Sequence, residues 1–134
     1  MANILWVEDD YERIKGLGYF LEEEGHKFIA ATTKKEAFQI LDERKNFDLI
    51  IIDLILSEGE DIKPFDPFPG FKVLKRLKDL NLDVPIIVLT IVEDTEILNR
   101  LNKYKIVELL KKGGFKPSEL REAVHRVLGK HEKY

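Results

Sequence analysis

Five strand-length apolar runs punctuate this chain, spaced so that a helix fits between each pair: NILWV (3–7), KFIAA (27–31), DLIIID (48–53), PIIVLT (85–90) and KIVELL (105–110). Three of them are close to continuously apolar. A strand with one face in water alternates polar and apolar residues, so near-continuous runs belong to a parallel sheet covered on both faces. The intervening segments have helical periodicity. Residues 11–24 put Ile14, Leu17 and Leu21 on one side and stop before Gly25, a residue suited to a helix C-terminus. TKKE (33–36) has the form of a capping box. Phe71, Leu74 and Leu77 are helically spaced within 71–80, and Asp94 stands where it can cap a helix running to about Leu101. Leu120, Ala123, Val124, Val127 and Leu128 form the stripe of a surface helix.

The order βαβαβαβαβα predicts an α/β fold, a doubly wound five-stranded parallel sheet with right-handed crossovers and helices on both faces. With 134 residues, 44% hydrophobic and 35% charged, the chain reads as one domain, 1–134, with a full core and a heavily ionised surface. A net charge of −3 gives no reason to expect nucleic acid or an anionic membrane as a direct partner. No apolar run reaches the ~18 residues of a membrane span, and MANILWVEDD has no signal-peptide pattern. The lack of cysteine excludes disulfides and thiolate metal sites and suits a reducing compartment, so the expected location is cytoplasmic.

In sheets of this kind ligands bind beyond the carboxyl ends of the strands. Glu8, Asp9 and Asp10 follow the first run, Asp53 ends the third, Thr90 ends the fourth, and Lys111 and Lys112 follow the fifth. A carboxylate inside an apolar strand is expensive, so Asp53 is read at a strand end, on the functional edge. Carboxylates converging there repel one another unless a cation joins them, and oxygen-only ligands suit Mg²⁺. A hydroxyl and an ammonium at the same edge fit an anion as well. A phosphoryl group on Asp53 would share its charge among Mg²⁺, the lysine and Thr90. Singly, each residue has a plainer reading. Acidic residues after a strand cap helices, a strand-end threonine is a β-former, and paired lysines are solvated surface; the joint placement favours the chemistry. His26, His125 and His131 show no ligand spacing along the chain and read as surface.

The segments ILWVEDDYERIKGLGYFLEEEGH, DLIIIDLIL and PIIVLT, with the lysine before FKPSELREAV, resemble the receiver domain of two-component response regulators over essentially the whole chain. The resemblance implies a flavodoxin-like sheet of strand order 2-1-3-4-5. It makes Asp53 the phosphoacceptor for a histidine kinase or phosphotransfer protein, in Mg²⁺-dependent self-phosphorylation and autodephosphorylation rather than conventional enzyme turnover. Glu8 and Asp9 become the acidic pair, with Asp9 a direct Mg²⁺ ligand and the Ile55 backbone carbonyl another. Thr90 becomes the switch hydroxyl and Lys112 the phosphate-binding lysine, with Lys111 the alternative.

Several positions depart from the family pattern. KKGGFKP carries one residue more than the usual Lys-Pro-aromatic. Ile91 replaces the usual Ala or Gly, Leu109 replaces an aromatic, and the apolar Ile55 and Val92 flank the route of the hydrolytic water. The segment 54–70, LILSEGEDIKPFDPFPG, is about twice the usual length, and its Phe65 and Phe68 either tuck onto the domain or serve a lid or docking role. The expectation is a stand-alone receiver that signals to a downstream protein by contact, a homodimer being one further option. The alternatives are a phosphorylation-independent docking module and a receiver cut from a longer protein.

Overall fold

The computed structural model describes residues 1–57, 66–113 and 116–132, the last three by backbone alone. Within the long segment after the third strand, 58–65 therefore lies outside the described residues, Phe65 with it, as does the side chain of His131. The chain runs β1 (Asn3–Val7), α1 (Tyr11–Ile14), α2 (Tyr19–Glu23), β2 (Lys27–Ala31), α3 (Lys34–Glu43) and β3 (Leu49–Ile52). It continues with α4 (Gly70–Asp79), β4 (Ile86–Thr90), α5 (Thr95–Asn99), β5 (Ile106–Lys111) and α6 (Pro117–Glu132). All strand pairs are parallel, in the order β2-β1-β3-β4-β5.

The alternation of side chains across the sheet builds two cores. Leu5, Val7, Ile50, Ile52, Ile86 and Val88 pack under α3, α4 and α5, against Leu41, Leu74, Leu77 and Leu98. Ile4, Trp6, Leu49, Ile51, Ile87 and Leu89 face α1, α2 and α6, against Leu21, Leu120, Val124 and Val127. All four residues of β3 are buried, which is why its sequence does not alternate. Burial of each of its large apolar side chains stabilises the fold by roughly 1.5–3 kcal/mol.

The caps act as their sequences suggest. Thr33 Oγ1 accepts the Glu36 amide, and Asp94 accepts the amides of Glu96 and Ile97. Residues 11–24, expected as one helix, are instead two short helices joined by a 3₁₀ turn, Lys15–Gly18. The cause is close packing: a Cβ at Gly18 would stand 2.8 Å from the Phe28 ring and 3.2 Å from that of Trp6. The turn brings the backbone down onto those rings.

A second bend lies in β5. Ile86 pairs with Ile106, but Ile87 pairs with Glu108, so Val107 is an extra, bulged residue. The bulge reverses which face later residues occupy. Ile106 packs with the α3–α5 core, whereas Leu110 packs with the core under α6.

Where the long segment returns, Phe68 packs against the core, its ring 6.5 Å from that of Phe71 and nearly perpendicular to it. Gly70 then opens α4 directly against the chain beyond β3. A Cβ there would lie 2.4 Å from the Asp53 carbonyl oxygen and 2.6 Å from the Leu54 Cα. Backbone atoms on both sides cannot yield as a flexible side chain can. Gly70→Ala is therefore expected to lower stability by about 1–3 kcal/mol, read as a lower urea midpoint; an unchanged midpoint would show that α4 can withdraw freely.

Candidate functional site

Three residues each sit one position past a strand, with the amide still held by a neighbouring strand. Glu8 donates its N–H to the Ala31 carbonyl (2.8 Å), Asp53 to that of Val7 (3.1 Å) and Lys112 to that of Thr90 (2.9 Å). The sheet thus fixes the three backbones while the side chains leave it at the carboxyl edge. Glu8 and Asp53 are buried, 0% and 3% exposed, as is Thr90, the last residue of β4.

Lys112 reaches into this edge. Its ammonium lies 2.5 Å from Asp53 Oδ2 and 2.6 Å from Glu8 Oε1. Lys111, the alternative lysine, points away and pairs loosely with Glu93 at 3.6 Å. The bulge at Val107 explains the choice: without it, the strand's alternation would send Lys111 to the side that Lys112 occupies.

One ammonium faces two buried carboxylates, so it neutralises only one of them. The ammonium hydrogen-bonds Asp53 and forms a close ion pair with Glu8 Oε1, while Glu8 Oε2 accepts the Asp10 amide at 3.0 Å. Burial pushes the Glu8 carboxyl up to about 7, with the Asp53 charge adding to it, against the downward pull of Lys112 and the Asp10 amide. Burial works against the Lys112 ammonium too, but its bonds to Asp53 and Glu8 prevail and hold its pKa above the ordinary lysine value. When both carboxylates are ionised, the edge carries a surplus negative charge. A hard divalent cation fits that arrangement.

Asp9, by contrast, is exposed. The carboxylates of Glu8, Asp9 and Asp53 do not close to within 4.8 Å of one another; among the described residues that spacing is met by Glu24, His26 and His125. Two turns flank the edge. The Ile55 amide donates to Asp53 Oδ1 (3.2 Å) and the Val92 amide to Thr90 Oγ1 (3.3 Å), each two residues on from its acceptor. Val92 is buried in the core beneath, Ile55 is 36% exposed and Ile91 is 62% exposed. On β5, Leu109 points outward, and Tyr104 precedes the strand while packing against the core. Gly70, which lets α4 abut Asp53, carries a sequence signal of its own, Pro-Gly ahead of a helical stripe.

The response regulator receiver domain family matches residues 4–125, and the chain belongs to it. It is thus a receiver domain of two-component signalling. It is similar to response regulator SaeR of Staphylococcus epidermidis, 29% identical over 90 residues that make up 67% of this chain and 34% of the relative. SaeR of Staphylococcus aureus (strain USA300) is 27% identical, with all of this chain and 54% of the relative covered. The chain therefore spans between about a third and about half the length of these relatives. Among solved structures, a two-component response regulator from Clostridium difficile superposes with a TM-score of 0.77 at 26% identity, covering 98% of each chain. The receiver domain of a LuxO repressor protein from Vibrio parahaemolyticus gives 0.78 at 21% identity, covering 98% of this chain and 92% of that one, a likeness of fold. No helix among the described residues is long and apolar enough to cross a membrane.

The surplus charge makes opposite predictions for two substitutions. Glu8→Gln removes it and should stabilise the fold by roughly 1 kcal/mol or more. Lys112→Met leaves both carboxylates uncompensated and should destabilise it by about 1–3 kcal/mol. Because folded Glu8 holds its proton more tightly than the ordinary 4.5, ionising it opposes folding, increasingly as pH rises from about 4.5 to about 7. The advantage of Glu8→Gln should therefore grow across that window in urea titrations. Destabilisation by both substitutions would show that Glu8 is fully paired.

Proposed function

We propose that Asp53 accepts a phosphoryl group from a histidine kinase or phosphotransfer protein and that the phosphorylated domain signals to a downstream protein by contact. The observation that carries this reading is Lys112 spanning Asp53 and Glu8 at 2.5 and 2.6 Å, a buried acidic edge with one built-in cation. An Asp53 carboxylate oxygen attacks phosphorus, the bond to the donor breaks, and the leaving group departs with the electron pair. Lys112, at the edge already, pairs with the oxygens of the incoming group, and the Thr90 hydroxyl, from the residue paired directly with Lys111 across the β4–β5 ladder, offers a donor to them. Glu8, Asp9, Asp53 and the Ile55 carbonyl would hold Mg²⁺, which supplies the positive charge that Lys112 alone does not.

Water that hydrolyses the phosphoaspartate must approach in line with the Asp53–phosphorus bond. Ile55 and Val92 give it no side-chain hydrogen bond, so phosphoryl loss should be slow. Because Val92 is core, a polar residue there would test folding as much as gating, and Ile55 is the position to change. A phosphorylation-independent docking role is the second reading, favoured by the exposed Ile91 and Leu109 in place of small and aromatic residues.

Incubation with acetyl phosphate and Mg²⁺ should add one phosphoryl mass to the intact protein and none to Asp53→Asn. Ile55→Asn should then lose the group severalfold faster than wild type. Labelling that survives Asp53→Asn would point to another acceptor, and a wild type that no donor or kinase labels would favour the docking role.

A further inference from the structure

We infer that Glu24, His26 and His125 form a second metal site, one that takes a borderline divalent ion such as Zn²⁺. The three lie far apart in sequence, yet one ligand atom from each comes within 4.8 Å of the other two. Glu24 caps the end of α2, and Gly25, at φ +94°, turns the chain so that Glu24 and His26 face the same way. His125 meets them from α6. All three, with Leu128 and Gly129 of the same helix, line a hollow of about 220 Å³, large enough for an ion and completing waters. Two imidazoles and a carboxylate are a donor set for zinc and its neighbours, not for Mg²⁺.

The present contacts say what binding must displace. His125 Nε2 lies 2.8 Å from Glu24 Oε1, the shared proton standing where an ion would bridge the two. Arg121, one turn earlier on α6, donates to Glu24 Oε2 at 3.2 and 3.0 Å and leaves Oε1 for the ion. It anchors the carboxylate but adds a positive charge beside the ion. His26 Nδ1 accepts the Ala2 amide at 3.0 Å, so the neutral ring carries its proton on Nε2. An ion at Nδ1 takes the amide's place, and an ion at Nε2 forces the proton onto Nδ1. Either way the Ala2 hydrogen bond is lost. Affinity is therefore modest, on the order of micromolar, and the Ala2 amide reports binding. An ion here ties α6 to the α2–β2 turn and so stabilises the fold.

The test is calorimetric titration of the chelator-treated protein with ZnCl₂, paired with ¹H–¹⁵N NMR. One equivalent should bind, the Ala2 amide resonance should move to saturation with it, and MgCl₂ should leave that resonance in place. His125→Asn and His26→Asn should each weaken binding at least about tenfold, while Asp53→Asn leaves it unchanged. Should His26→Asn fail to fold, the exposed His125 and the wild-type Ala2 resonance still decide. Absence of stoichiometric binding, an Ala2 amide that does not respond, or binding that His125→Asn leaves intact would overturn the proposal. Zinc binding lost in Asp53→Asn instead would assign the ion to the acidic edge.

Discussion

A single ammonium, that of Lys112, sits between two buried carboxylates, those of Asp53 and Glu8. Burial of an ionised group is tolerable only with compensation, and here the compensation is one charge short. Burial, with the Asp53 charge adding to it, raises the Glu8 carboxyl, and the two carboxylates hold the Lys112 proton against its own burial. With both carboxylates ionised, the edge suits a further positive charge. A fully neutralised edge would be more stable.

The fold's contribution is to hold these groups together at low entropy. Each of the three backbones is pinned by one ladder hydrogen bond beyond its strand, so only side-chain rotations remain to be fixed. The Val107 bulge selects Lys112 over Lys111, and the missing side chain of Gly70 lets α4 close on the backbone at Asp53 and Leu54. Both features lie outside the charged group, yet both determine where its atoms meet.

Much of this was legible in the sequence. Continuous apolar runs mark strands buried on both faces, because water on either face would select alternation; their ends then point to Glu8, Asp53 and Thr90 without knowledge of any contact. Thr33 and Asp94 were readable as caps because capping is local. What escaped has a common cause. The bulge depends on how β5 meets β4, the 3₁₀ turn on how Gly18 meets Phe28, and the Glu24–His26–His125 group on α6 returning across the α2–β2 turn. Each is decided by a distant segment, and no local period encodes it. The choice between Lys111 and Lys112 was open for the same reason.

The surplus charge is measured most directly at Glu8 itself. In a ¹³C NMR titration of the side-chain carboxyls, Glu8 should change protonation near pH 7, well above its ordinary 4.5, and added Mg²⁺ should move that midpoint downward. A midpoint at or below the ordinary value, indifferent to Mg²⁺, would mean that Lys112 satisfies both carboxylates and that the edge has no charge deficit to offer a cation or a phosphoryl group.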